Sequence, residues 1–505
     1  MTYNWKKLQN GSDIRGVAID GVEGEYVNLF PETVSTLGQV FADWLKQRLN
    51  KKDITIAIGT DSRLSGSELR KALLDAITDK EASAIDCGMA STPAMFMTTI
   101  TPPFNADGAI MLTASHLPYN RNGMKFFTKD GGLEKSDISK LLEMAEMHTI
   151  PEVQSKGTVK EVDFISLYSD ILANKIKRAV SAKEFDHPLN GFRIVVDAGN
   201  GAGGFYASKV LAKLGADIRG SQFLDPDGTF PNHVPNPENN EAMTSICSAV
   251  KEMKADLGII FDTDVDRAAV VDRKGNAIGR NELVALSAAI ILDENPGTTI
   301  VTDSITSDGL TQFINEELGG KHHRFKRGYK NVINEAIRLN SSGEECHLAI
   351  ETSGHAAIKE NYFLDDGAYL ATKIVIKMAQ LRKQHRTLES LIEELPKPTE
   401  SREYRLKIKE DDFKPLGEKV ISELEEYATQ TDDWRIVKPN FEGVRISCTG
   451  EKEQGWLLMR LSLHDPVIPV NIESDIKGGV KKIAARLVEF LEDKSYIDIR
   501  MMNGF

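Results

Sequence analysis

The segment TASHLPYNRNGMKFF, Thr113–Phe127, sets Ser115 and His116 at the end of an apolar run and returns through a Pro/Asn/Gly-rich loop to Lys125. A serine hydroxyl is a weak nucleophile unless a neighbouring base, metal or positive field activates it, and His116 and Lys125 both bring charge to that spot. On these residues alone the segment reads equally well as an ordinary strand-end turn. Far along the chain, FDTDVDRAAVVD places Asp262, Asp264 and Asp266 at a spacing of two, with Arg267 next. Alternate carboxylates converge on one hard cation when the loop between them curls, and Mg2+ is the usual choice; a solvated acidic turn is the bland alternative. An EF-hand is excluded, because the sixth position is Arg267 where the turn needs Gly, and the twelfth is Arg273 where a bidentate Glu is needed.

Four further segments carry polar groups in suggestive patterns. Glu351, Ser353 and His355 alternate after an apolar run and suit hydrogen bonding to the hydroxyls of a polyol, although a capped helix start explains them as well. RFKRGYKNV gathers Arg324, Lys326, Arg327 and Lys330 around Gly328, either a contact for an anionic ligand or a solvated basic turn. MRLSLHDP puts Arg460 and Ser462 on one side of a strand, a guanidinium fork and a hydroxyl able to hold one phosphate, though such pairs are more often structural. GNGAGG satisfies G-x-G-x-x-G through Gly199, Gly201 and Gly204, with Asp217 near the place of a ribose-binding acid. A dinucleotide-dependent oxidoreductase built there would leave the serine loop and the aspartate triplet without a role, so the glycines are read as close strand–helix packing.

The elements that must position these groups follow from hydrophobic period. ITIAIGTD (54–61) reads as a buried strand, 67–78 as a helix, and GAIMLTAS (108–115) as a second strand, the rhythm of an α/β layered domain. The same alternation restarts with a helix over 162–180 and a strand and glycine turn over 192–204. It continues with strand, acidic loop and strand over 256–272, and with the TTIVTDSIT and HLAIETSGH segments. After the Pro- and charge-rich stretch 396–403 the pattern changes to YRLKI, a helix, GWLLMRLSL and a terminal helix over 475–494, a smaller α+β domain. At 505 residues the chain needs three or four domains, and its 41% hydrophobic and 27% charged composition is globular throughout. Sixty-two basic against 75 acidic residues give a net charge of −13, the wrong sign for general nucleic-acid or anionic-membrane binding, so a phosphorylated ligand must be met by local basic pockets. Cys87, Cys247, Cys346 and Cys448 show no framework spacing, which points to reduced thiols in a cytoplasmic protein. No apolar run approaches the ~18 residues of a membrane span, and the N-terminal segment lacks the pattern of an export signal.

Taken in order, TASHLPYNRNGMK, DTDVDR, GYKN, ETSGH and RLSLHDP match the motifs of the α-D-phosphohexomutases, and from about Ile14 to Glu473 the chain resembles that phosphoglucomutase/phosphomannomutase superfamily. The resemblance implies an α/β fold of three successive mixed-sheet domains plus a smaller C-terminal α+β domain around a central cleft. The expected domains are 1–152 with a phosphoserine loop, 153–294 with a metal loop, 295–397 with a sugar-binding loop and 398–505 with a phosphate-binding loop. It implies that Ser115 is a phosphoserine exchanging its phosphoryl group with the sugar. One Mg2+ per chain would be bound by Asp262, Asp264, Asp266 and the Ser115 phosphate, with Arg267 beside it. His116 and Lys125 would flank the transferring group, and His355 or Lys125 would assist proton movement. Glu351 and Ser353 would grip sugar hydroxyls, Arg460 and Ser462 the non-reacting phosphate, and Arg15 and Lys330 would be further contacts. The implied reaction is reversible transfer between positions 1 and 6 of glucose or mannose phosphate through a hexose 1,6-bisphosphate. The partners are then hexose phosphates, not nucleic acid or membrane, in a monomer or homodimer. Two departures stand out: Leu117 replaces a common Asn, and Ser-Leu-His-Asp-Pro replaces a common Ser-Asn-Thr-Glu-Pro. Leu463 cannot hydrogen-bond phosphate, so His464 is expected to donate instead, with Arg445 adding compensating charge. A catalytically inactive sugar-phosphate sensor and a phosphoglucosamine mutase are the alternatives.

Overall fold

The computed structural model describes residues 3–149, 155–180, 185–462 and 465–502. The chain packs as two compact units, Met1–Ile290 with Ser353–Leu391, and Ile291–Thr352 with Ile392–Phe505.

In the first unit a mixed sheet runs in the order Gln9–Asn10, Asp13–Val17, Arg121–Thr128, Gly108–Leu112, Thr55–Thr60, Ser83–Met89, Val159–Glu161. Thr55–Thr60 lies parallel to both Ser83–Met89 and Gly108–Leu112, which explains its nearly unbroken apolar sequence: strands buried on both faces do not alternate. The helix expected over 67–78 forms as Gly66–Asp79, and it packs with Pro31–Leu49 over a core that includes Leu37, Phe41, Leu73 and Ile110. Gly108–Leu112 and Arg121–Thr128 pair antiparallel, so the serine loop is the connection of a buried hairpin.

A second sheet in this unit has the order Ala277–Ile278, Ala268–Asp272, Leu257–Phe261, Ile194–Asp197. Leu257–Phe261 and Ala268–Asp272 are antiparallel and fully buried, and the acidic loop joins them. The glycine turn after Ile194–Asp197 is a packing device: a Cβ on Gly201 would stand 2.6 Å from the carbonyl oxygen of Thr263, and one on Gly204 2.2 Å from that of Leu224. Asp217 is held by Arg193 and Arg219, so the would-be ribose acid already has partners. The helix Gly367–Lys383 is capped by Asp366, and its first residue lacks a side chain where one would meet the backbone of Arg267 at 2.6 Å.

In the second unit Thr299–Thr302 lies parallel between Lys321–Arg324 and Cys346–Ile350. The C-terminal part is an antiparallel sheet, Trp434–Ile436, Val444–Cys448, Gly455–Met459, Val467–Ser474, Glu400–Ile408, Ile497–Asp498. Helices Phe413–Thr429 and Gly479–Leu491 share its core, which is the α+β arrangement expected there. The terminal helix starts at Gly479, later than its apolar pattern suggested. Ser474 Oγ donates to the Glu453 carbonyl, Gly478 takes a left-handed φ of 82°, and the intervening residues form a turn. Among the described residues no helix is long and apolar enough to cross a membrane.

Candidate active site

Ser115 follows the strand Gly108–Leu112 and is 3% exposed, with a left-handed φ of 52° that an L-residue adopts only at a cost of about 1 kcal/mol. Thr113 Oγ1 accepts from its amide at 2.9 Å. Its hydroxyl donates to Asp262 Oδ2 at 3.0 Å and receives Arg267 Nη2 at 3.2 Å. His116 Nδ1 lies 3.2 Å from the same hydroxyl and 2.6 Å from Arg267 Nη2. A guanidinium can only donate, so Nδ1 must be an acceptor and the ring neutral. Burial, then the charges of Arg267 and Arg15, push the His116 pKa down to about 3, in agreement with that tautomer.

The acidic loop brings Asp262, Asp264 and Asp266 together, with one carboxylate oxygen of each within 4.8 Å of the others and every side chain buried. Lys125 Nζ donates to Asp264 Oδ2 at 2.9 Å and Asp266 Oδ2 at 2.5 Å, and Thr92 Oγ1 to Asp264 Oδ2 at 2.5 Å. Arg267 donates its amide to Asp262 Oδ1 and its Nε to Asp262 Oδ2, both at 3.2 Å. Burial, then Asp266 and Asp264, hold the Asp262 carboxyl well above the usual range. Asp266 is held below it, despite burial, by Lys125, His355 and Arg267. Asp264 Oδ1 and Asp266 Oδ1 are buried without a hydrogen-bond partner among the described residues. Buried carboxylate oxygens without partners are costly, and an all-oxygen donor set of this kind fits a hard divalent cation.

His355 donates from Nδ1 to Asp365 Oδ2 and stands 3.9 Å from Asp266 Oδ1. Burial opposes its charge, but Asp365 and Asp266 raise its pKa to about 9. Arg15 donates to the Ala114 carbonyl at 3.0 Å and to Asp13 at 3.1 Å. The first unit therefore brings together Ser115, His116, Lys125, Asp262, Asp264, Asp266, Arg267, His355 and Arg15, with Ser353 buried in the same unit. Thr92, Asp365 and Asn236, which accepts from Arg267 Nη1 at 3.1 Å, were not foreseen; the only sequence hints were a turn-rich stretch before Asn240 and a pair of acids ahead of a helix.

In the second unit Glu351 Oε1 accepts from the Gly328 amide at 2.6 Å, and Lys330 lies in the first turn of the helix Tyr329–Ser341. Arg460 is 7% exposed, with an Nε lacking a hydrogen-bond partner among the described residues. Its amide bonds Pro469 and that of Ser462 bonds Val467, so strand pairing continues past Met459 and keeps the two residues in step. Ser462 Oγ accepts from the Asp465 amide at 3.3 Å. Leu463 and His464 lie outside the described residues. Arg445 corrects an expectation: it is 1% exposed, donates to the carbonyls of Ser304 and Thr306 and to Asp308, and lies 3.6 Å from the Trp456 ring centroid. It is a structural cation, not a spare charge for phosphate. Arg324 is likewise engaged, by Ser307 and Asp308.

Layered α/β sheets that deliver a strand-end serine to a cation-ready carboxylate loop define a phosphoryl-transfer enzyme. Phosphoglucomutase/phosphomannomutase alpha/beta/alpha domain models I, II and III match residues 6–149, 167–275 and 280–399. The chain is 30% identical over 472 residues to a phosphomannomutase/phosphoglucomutase of Pseudomonas syringae pv. tomato, covering 93% of this chain and 92% of that protein. It is also 30% identical over 496 residues to a phosphoglucomutase/phosphomannomutase of Thermococcus kodakarensis, covering 96% and 99%. A crystal structure of a phosphoglucomutase/phosphomannomutase family protein from Burkholderia thailandensis matches with a TM-score of 0.77 at 26% identity, over 97% of this chain and 98% of that one. The chain belongs to the phosphoglucomutase/phosphomannomutase family and is an isomerase, an intramolecular phosphotransferase.

Proposed function

We propose that the protein moves a phosphoryl group between O1 and O6 of glucose phosphate, mannose phosphate or both, through a phosphoserine at Ser115 and a hexose 1,6-bisphosphate. In the first half-reaction the bond from phosphorus to Ser115 Oγ breaks as one to the sugar O6 forms, and the O6 proton passes to the protein. The bisphosphate turns over; the phosphoryl group on O1 then returns to Ser115, and O1 takes up a proton. Atoms balance, and one serine serves both halves.

The charge on the transferring oxygens is what the site must meet. Arg267, donating to the serine oxygen and held by Asp262 and Asn236, is placed to follow that charge. His116, neutral, orients the guanidinium through Nδ1. Asp262, Asp264, Asp266 and the Ser115 oxygen would hold Mg2+, which when bound supplies Lewis-acid neutralisation of the phosphoryl group. His355, kept protonated by Asp365, and Lys125 are the proton carriers of this reading. Glu351 and Ser353 bind sugar hydroxyls, Arg460, Ser462 and His464 hold the non-reacting phosphate, and Lys330 and Arg15 are further substrate contacts. Cytoplasmic residence is part of the same proposal, supported by cysteine spacings in the sequence that form no disulfide framework.

One observation carries the reading: Ser115 Oγ meets Asp262 and Arg267 within 3.2 Å, from segments 147 and 152 residues away. Replacing Ser115 with Ala removes the acceptor oxygen, and turnover of hexose 1-phosphate to 6-phosphate should fall by about a thousandfold or more with the fold intact. Coupled assays on glucose, mannose and glucosamine 1-phosphates read both the loss and the sugar preference; turnover retained in Ser115→Ala would overturn the proposal.

A further inference from the structure

We propose that Arg63 is a positioning residue for this reaction, its guanidinium fixing the backbone of the serine loop so that Ser115 Oγ is aimed at Asp262. Arg63 is 3% exposed and follows the strand Thr55–Thr60. Nη2 donates to the carbonyls of Ser115 at 2.5 Å and Leu117 at 2.6 Å, and Nη1 to those of Pro118 at 2.7 Å and Arg121 at 2.9 Å. Four carbonyls of one loop thus converge on a single planar fork, a geometry that a lysine ammonium, with three donors on one atom, cannot reproduce.

The fork is itself fixed. Its amide donates to Asp61 Oδ1 at 3.0 Å, Nε stands 3.4 Å from Asp61 Oδ2 with both side chains fully enclosed, and the guanidinium lies 5.3 Å from the Phe230 ring centroid. The consequence falls on the reactive residue. The peptide before Ser115 is tied through its N–H to Thr113 Oγ1, and the peptide after it through its C=O to Arg63. Those two planes set φ and ψ of Ser115, and together they hold a left-handed conformation a free serine would leave. Relaxation toward φ below zero would swing Oγ off its line to Asp262, and misplacement of about 1 Å costs about a hundredfold in rate. None of the Arg63 donors reaches a group that changes bonding in the reaction, so its effect is exerted through Ser115.

The inference rests on the phosphoserine reading, and the test separates the two. Ser115→Ala, Arg63→Lys and Arg63→Ala are compared with the parent enzyme in Mg2+ buffer. Three quantities are read: kcat and KM for hexose 1-phosphate, the single-turnover rate of phosphate loss from the phosphoenzyme by intact mass, and thermal unfolding. Arg63→Lys should lower kcat and the single-turnover rate about a hundredfold while KM moves less than about threefold, and free guanidinium should restore Arg63→Ala about tenfold or more. A kcat for Arg63→Lys within about threefold of the parent overturns the proposal, as does a loss that tracks unfolded protein and that guanidinium does not restore. Turnover surviving in Ser115→Ala fails the phosphoserine reading itself; turnover lost there but intact in Arg63→Lys fails only the role of Arg63.

Discussion

Two buried carboxylate oxygens, Asp264 Oδ1 and Asp266 Oδ1, have no hydrogen-bond partner among the described residues. Three buried aspartates share this space with the cations Lys125, Arg267 and His355 beside them, and two of their oxygens still lack a donor among the described residues, so a bound divalent cation should stabilise the fold. Saturating Mg2+ at a hundred times its dissociation constant should add about 2.7 kcal/mol. Thermal unfolding with Mg2+ and with chelator measures it, and Asp264→Asn should abolish the difference. Asn236→Ala should lower kcat by about tenfold at unchanged melting temperature, because Arg267 Nη1 loses its acceptor. Ser115 and the three aspartates were legible in the sequence because each set declares itself within a dozen residues. Asn236, Thr92 and Asp365 were not, since each reaches the site from a segment whose own pattern describes only a turn or a helix start. Arg445 misled for the opposite reason: its charge is visible in sequence, but its burial against Trp456 and its bonds to Ser304 and Thr306 depend on chain brought in from elsewhere.

The elements that aim these residues are strand ends. Leu257–Phe261 and Ala268–Asp272 are rigid flanks that leave the acidic loop little freedom, and the hairpin of Gly108–Leu112 and Arg121–Thr128 does the same for the serine loop. Both were readable as apolar runs ending in polar residues, as was the glycine turn at Gly199–Gly204. What spacing did not reveal is that Gly201 abuts Thr263, inside the acidic loop. Gly201→Ala should therefore destabilise by about 1–3 kcal/mol in urea unfolding and also weaken Mg2+ binding, since the added methyl meets backbone that cannot yield cheaply. The start of the terminal helix at Gly479 escaped the hydrophobic pattern because Ser474 Oγ accepts from the Ile476 amide at 3.2 Å and holds a turn over the residues just before it.

Across the whole molecule, burial holds some carboxyls above the usual carboxylate range. Burial raises Glu473 to about 7, in spite of Arg445 and donors from Ser401 and Trp456, and raises Asp366 to about 6 in spite of Tyr168. An acid whose folded pKa lies above its unfolded value binds more protons when native, so its contribution is full at low pH and is lost as pH rises. For Glu473 the window runs from its ordinary 4.5 to about 7, and Glu473→Gln should flatten the stability profile there, measured by urea unfolding at several pH values. The order of motifs along 505 residues was readable from the start. The packing into two units, each assembled from two separated stretches, was not, because it is decided by contacts between distant segments that local periodicity does not encode. The central claim is that Ser115 carries the phosphoryl group between sugar positions, and intact-mass spectrometry with peptide mapping addresses it directly. After incubation with hexose 1,6-bisphosphate and Mg2+ the protein should gain about 80 Da on Ser115 and lose it on addition of hexose 1-phosphate at a rate no slower than kcat. Steady turnover with Ser115 never phosphorylated would contradict the account.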